Sequence, residues 1–169
     1  LGDVYKRQNK YYVYPFIRGA DKLLIMNGPV VRKDWLDELG LEMPETIDEW
    51  HTVLTQFKEK KGAPAPLSFK YPEMFTFGDF IGAYGILRGF TVENGKVVYG
   101  PADPRYKEFL TTFAQWYKEG LIDPAIANVD AKALDANILN GKTGVTNGFA
   151  ASGLGKWMSA LVEKDPTAE

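Results

Sequence analysis

Two helix starts constrain this chain more than any other feature of its sequence. In Pro44-Glu45-Thr46-Ile47-Asp48-Glu49, Thr46 and Glu49 have the spacing at which hydroxyl and carboxylate each satisfy a backbone N–H at a helix mouth. Ile47, Trp50, Val53, Leu54 and Phe57 then fall on one helical stripe, with Lys58, Lys60 and Lys61 near the end where the macrodipole favours cations. A second helix opens at Asp103-Pro104, with Asp as cap and Pro in the first helical position. Its stripe of Tyr106, Phe109, Leu110, Phe113, Trp116 and Tyr117 is broad enough to predict burial, and Gly120 ends it.

Shorter elements fill the intervals. Tyr11 to Phe16 alternates aromatic and β-branched residues as a strand or extended crossing does, Leu23 to Met26 is apolar, and Asn27-Gly28-Pro29 reads as a turn. Arg32 to Leu39 predicts a short helix with Trp35, Leu36 and Leu39 on one face and Gly40 as its stop. Ala65 to Phe69 reads as a loop entering a strand, and Met74 to Leu87, with glycines at 78, 82 and 85, as a closely packed buried helix. Asn94-Gly95 is a two-residue hairpin turn, pairing Glu93 with Lys96 and Val92 with Val97. Asp130 caps a helix through Leu139, Thr143 to Phe149 is a strand, and Ser152 to Lys164 a last helix. Helices alternate with short strands, so the class is α/β.

Composition narrows the function. The 169 residues, 45% hydrophobic and 25% charged, have the balance of a globular chain with a real core. A net charge of −2 gives no general attraction to nucleic acid, and no apolar run reaches the ~18 residues of a membrane span. Cysteine is absent, which removes disulfides, thiolate metal sites and a Cys nucleophile. Aromatic residues are abundant, at 14%, enough for a core and for flat apolar platforms as well.

Motifs for catalysis fail on inspection. Ser152-Gly153-Leu154-Gly155-Lys156-Trp157 imitates a phosphate loop but has Ala150 and Trp157 where Gly and Ser/Thr belong, and Met158 breaks the dinucleotide pattern. What is left is a strand end, Asn147-Gly148-Phe149, entering a glycine-rich helix start. Its N–H groups either face a ligand's oxygens or merely belong to a capping turn. His51, the single histidine, has no local partner for metal or triad and reads as a surface or boundary residue. Asp34 with Asp37, and Asp48 with Glu49, are explained by capping and solvation, so no enzyme is indicated.

The order of these pieces resembles the extracellular solute-binding proteins of family 1, the substrate receptors of ABC importers, and especially their LipO-like lipoprotein branch. NKYYVYPF, VVRKDWLDELGLEMPETIDEW, ENGKVVYGPADPRYKEFLTTFAQWYKEGLIDP and LNGKTGVTNGFAASGLGKW carry the likeness over most of Asn9 to Trp157. The resemblance implies a periplasmic-binding-protein-like type II fold in which residues 9–169 are most of one lobe of a two-lobed receptor. The segment near 12–23 would cross from the other lobe. It implies capture of a small-molecule solute, an oligosaccharide, in the cleft between lobes, and delivery to an ABC permease. It also implies an exported protein, a membrane-anchored lipoprotein or a periplasmic one. No cofactor follows. The calcium loop of alginate-type receptors is replaced here by Lys58-Glu59-Lys60-Lys61-Gly62-Ala63-Pro64, so no metal is expected there.

Pro72 to Phe77 and Thr146 to Phe149 resemble cleft-lining stretches of maltodextrin-type receptors. The expected ligand contacts are Glu73, Asn147 and Ser152 for hydroxyls, with Phe75, Phe77, Phe149 and Trp157 as stacking faces or walls. Arg18 and Asn27 lie beside the crossing segment. The chain departs from maltodextrin-type receptors: Met74 replaces a stacking Tyr, and Phe149 precedes the place of an expected Trp. A carbohydrate-active enzyme and a surface adhesion or sensor protein on the same fold are the alternatives. At the front, Asp3 to Gln8 can be encoded by GAT GTG TAT AAG AGA CAG, which resembles the mosaic end of a transposase-based sequencing adaptor. Residues 1–8 are therefore expected to be adaptor-derived, with few structural contacts and no functional ones.

Overall fold

The structure, a computed structural model, describes residues 6–7, 10–11, 19–21, 27–71, 73, 76 and 79–166. Two short strands, β1 (Lys6–Arg7) and β2 (Lys10–Tyr11), pair antiparallel at the front. Of the crossing segment near 12–23, only residues 19–21 fall within the described residues.

The helix starts form as their sequences dictate. Thr46 Oγ1 accepts the Glu49 N–H at 3.3 Å, and the Glu49 carboxylate accepts the Thr46 N–H at 2.9 Å. With hydrogen bonds from the Glu45 and Thr46 N–H groups, the Glu49 carboxyl lies below its ordinary pKa. The box opens α2 (Ile47–Lys60), preceded by α1 (Lys33–Leu39), which ends on Gly40 in the left-handed region. Thr46→Ala should therefore cost about 1 kcal/mol, read as a lower urea midpoint at unchanged slope. An unchanged midpoint would mean that the box contributes nothing.

The hairpin also forms in the expected register. β4 (Phe90–Glu93) pairs with β5 (Lys96–Tyr99), matching Glu93 to Lys96 and Val92 to Val97. Asn94 at φ 52° and Gly95 at φ 76° supply the two positive angles of the turn. After it, Asp103 accepts the Arg105 N–H at 2.9 Å and holds its side chain at the mouth of α3 (Arg105–Lys118). The Arg105 contacts lower the Asp103 carboxyl to about 2.

Rings from four segments make the core. Trp35 meets Phe57 edge-on at 5.1 Å, Trp50 meets Phe80 at 5.2 Å, and Phe80, Phe113 and Trp116 continue the series. Phe57, Phe109 and Phe113 are wholly buried. The α3 stripe is narrower than expected: Phe109, Phe113 and Trp116 face inward, but Leu110 and Tyr117 remain 42% and 47% exposed. One packed neighbour covers only about a third of a helix's circumference.

Strand β3 (Asn27–Val31) corrects the expected Asn27-Gly28-Pro29 turn. It pairs antiparallel with β6 (Val145–Phe149), matching Asn27 to Phe149 and Pro29 to Asn147. Pro is tolerated at a strand edge, and Val30-Val31 favour extension, which outweighs the local turn signal. Leu67 bridges in parallel to both Val145 and Ile122, extending the layer beyond β6. Over Met74 to Leu87, the described part is a short 3₁₀ helix, Phe80–Tyr84, rather than a long buried one. Gly85 stops it at φ 66°, and Gly82 and Ala83 are exposed. Finally α4 (Ala131–Leu139), capped by Asp130, packs on α5 (Lys156–Lys164) through a second cluster of Val129, Leu134, Ile138, Trp157 and Leu161. The last helical run starts earlier than Ser152, because Ala150–Gly155 winds as a wider π turn into α5.

Candidate functional site

The paired ends of β3 and β6 open into a cavity of about 120 Å³ that gathers six of the residues singled out by sequence. Asn27, Glu73, Asn147, Phe149, Ser152 and Trp157 all line it. Phe75, Phe77 and Arg18 lie outside the described residues. Asn27 and Phe149 arrive together because they are register partners at the strand ends. Glu73 follows a turn in which its N–H donates to Lys70 C=O at 2.9 Å, and Tyr71 N–H is held by Val129 C=O.

Close packing fixes the loop between β6 and α5. A Cβ on Gly148 would sit 2.7 Å from Trp157 Cζ3, and one on Gly153 would sit 3.1 Å from Gly148 Cα. The two glycines thus let the chain double back against the indole. That gives the glycine-rich stretch a packing role. Trp157 is 7% exposed, and its Nε1–H donates to Asp135 at 2.7 Å. It stands on the cavity as a wall, with little of its ring face open. Phe149, 45% exposed at the strand end, does offer a ring face.

Charges on the lining come in pairs. Lys70 contacts the Glu73 carboxylate at 3.2 Å, and Lys156 contacts Asp135. Asn27 Nδ2 donates to Asp79 at 3.0 Å, adding a further carboxylate beside the lining. Sequence reasoning missed Lys70, Asp135 and Lys156. Lys70 had a signal, since it stands three residues before Glu73; the Asp135–Lys156 pair spans 21 residues and had none.

Partial burial alone would raise the Asp135 carboxyl, but hydrogen bonds from Lys156 and Trp157 outweigh it and hold the pKa below the usual 3.8. A lowered carboxyl stabilises the fold fully above its unfolded value and loses that contribution as pH falls through the folded one. Stability should therefore drop on acidification below about pH 4, more steeply in the native chain than in Asp135→Asn. Thermal unfolding of both proteins across that range checks this, and identical pH profiles would contradict it.

Two acceptor oxygens in the lining have unfilled capacity. Glu73 Oε2 and Asn147 Oδ1 are buried with no hydrogen-bond partner among the described residues, and Asn147 is only 6% exposed. Buried polar atoms are rarely left so, and each calls for a donor.

Other hollows offer less. A recess of about 40 Å³ beside the β3–β6 pair is lined mostly by apolar side chains, Val30, Val145 and Leu161 among them. An open groove between α2 and α3 holds His51, Asp48 and Glu108, and there His51 Nε2 is 2.6 Å from Glu119 Oε2. This places His51 at the boundary, as expected. Among the described residues, no group of three or more His, Asp or Glu side chains could hold a metal ion, and no helix is long and apolar enough to cross a membrane.

A family model described as bacterial extracellular solute-binding protein matches residues 1–169. Lipoprotein LipO of Bacillus subtilis (strain 168) is 33% identical over 165 residues, covering 90% of this chain and 32% of LipO. The fructooligosaccharide ABC transporter substrate-binding protein FusA of Streptococcus pneumoniae serotype 4 is 33% identical over 128 residues, covering 66% of this chain and 24% of FusA. Among solved structures, alginate-binding protein AlgQ2 without calcium ion superposes with a TM-score of 0.74 at 30% identity, covering 86% of this chain and 31% of that one. The chain thus spans about a third or less of the length of these relatives.

Proposed function

The chain belongs to the bacterial extracellular solute-binding proteins and forms part of one lobe of their type II periplasmic fold, and on that premise we propose that it is one wall of an oligosaccharide-binding cleft in an ABC-importer receptor. The observation that carries this reading is the pair of unfilled acceptors, Glu73 Oε2 and Asn147 Oδ1, beside the exposed ring of Phe149. Sugars match such a wall, because every hydroxyl is a donor and the C–H face of a pyranose or furanose ring packs on an aromatic. The names of two relatives agree in class: FusA binds fructooligosaccharide and AlgQ2 binds alginate. The cavity, about 120 Å³, is smaller than the ~300–1,000 Å³ of a complete small-molecule site. That size suits a wall which a second lobe completes.

The family and these relatives are receptors. Binding without turnover is the reading extended to this chain. Glycoside hydrolysis needs a protonated carboxyl beside an ionised one, and Asp135, its pKa lowered by Lys156 and Trp157, fits only the ionised member. Delivery to a permease, and export as a lipoprotein or periplasmic protein, complete the proposal. LipO carries the lipoprotein name.

Isothermal titration of the complete receptor against oligosaccharides and oligopeptides tests the reading. Saturable heat with glycans and none with peptides is expected. Tight binding of peptides with no response to any glycan would overturn it.

A further inference from the structure

We propose that the wall at the β3–β6 ends selects neutral or amine-bearing oligosaccharides and rejects acidic ones, with Glu73 as the residue that sets the selection. This deepens the oligosaccharide reading above and rests on it.

Among the described residues, the buried lining atoms that lack a hydrogen-bond partner, Glu73 Oε2 and Asn147 Oδ1, are acceptors. A ligand satisfies them by bringing O–H or N–H groups. A uronate carboxylate, sulfate or phosphate brings acceptors instead, and would place lone pairs against lone pairs.

Charge argues the same way. The described lining holds two cations, Lys70 and Lys156, and each already meets a carboxylate of the same cavity, Glu73 and Asp135. Asp79, hydrogen-bonded to Asn27 on the rim, adds a negative charge. An incoming anion thus meets two neutralised ammonium groups and a carboxylate oxygen with no partner among the described residues. Sites for anionic groups are built differently, with uncommitted Arg guanidinium forks or Lys ammonium groups aimed at the ligand. The alginate-binding and fructooligosaccharide-binding relatives stand on opposite sides of this distinction by their names. The lining of this chain sides with the neutral ligand.

Glu73→Gln sharpens the test. Gln replaces a carboxylate oxygen with an N–H₂ donor and frees Lys70, so both obstacles to an anion weaken together. The probes are a neutral fructotetraose, a chitosan tetramer and a tetramer of uronic acid, titrated into the complete receptor. In the native protein the neutral and amine-bearing tetramers should bind at least tenfold more tightly than the uronate. In Glu73→Gln the neutral tetramer should lose about tenfold while the uronate gains, narrowing the ratio. The native comparison stands even if the variant folds poorly. Uronate binding equal to or tighter than neutral binding overturns the selection while leaving the oligosaccharide reading intact. So does a ratio that Glu73→Gln leaves unchanged. Silence with all three tetramers, against saturable binding of peptides, overturns the oligosaccharide reading itself.

Discussion

Gly144→Val should destabilise the chain by about 3 kcal/mol, the upper end for overpacking a core. A Cβ at this position would lie 2.4 Å from Phe57 Cδ2 and 2.8 Å from Trp35 Cζ3, closer than side-chain atoms tolerate. Neither ring can retreat. Phe57 is fully buried, Trp35 is 6% exposed, and the two meet edge-on at 5.1 Å. Gly144 also donates its N–H to Pro66 C=O at 3.1 Å, at the point where β6 enters the sheet. Moving the backbone would therefore loosen the Leu67 bridges as well as the ring contact. For a chain of this size the loss corresponds to roughly 6–12 °C in Tm, measured by circular dichroism. A shift under about 2 °C would mean that the core has slack which this packing denies.

Gly148→Ala should act on the site more than on the fold. The added methyl would approach Trp157 Cζ3 to 2.7 Å and Cη2 to 3.1 Å. The indole is held from two sides, by the Asp135 hydrogen bond at 2.7 Å and by the cluster of Leu134, Ile138 and Leu161. The strand end must give way, carrying Asn147 and Phe149 on either side of residue 148 out of place. A loss of tenfold or more in oligosaccharide affinity is expected with only about 1–2 kcal/mol of stability. Unimpaired binding in a folded Gly148→Ala protein would argue that the cavity wall is not where the ligand sits.

What the sequence disclosed follows from range. The α2 box, the α4 cap and the Asn94-Gly95 hairpin are written within a few residues, and the structure shows each of them. Strand β3 was hidden because Asn27-Gly28-Pro29 obeys turn rules locally, while its partner Val145–Phe149 lies near the other end of the chain. The Met74 to Leu87 apolar run suggested a helix by length, yet Asp79 sits at φ 70° just before a single short 3₁₀ segment. For the site, residues came from matching family-like stretches, and six of them line one cavity. Their neighbours Asp135 and Lys156 were illegible, since an ion pair across two helices leaves no spacing to read. The burial of Trp157 under Gly148 was equally invisible, because a glycine in sequence does not reveal which ring approaches it.

The central claim is that a sugar meets this chain at Asn147, Phe149 and Glu73. It is tested most directly by following the ¹⁵N-labelled chain by NMR while a neutral tetrasaccharide is added. The Asn147 side-chain amide and the Trp157 indole N–H should shift together along one saturation curve. The Trp116 indole, in the groove beside His51, should stay where it is. Saturable shifts at Trp116 with Asn147 and Trp157 unmoved would place the ligand elsewhere and contradict the claim.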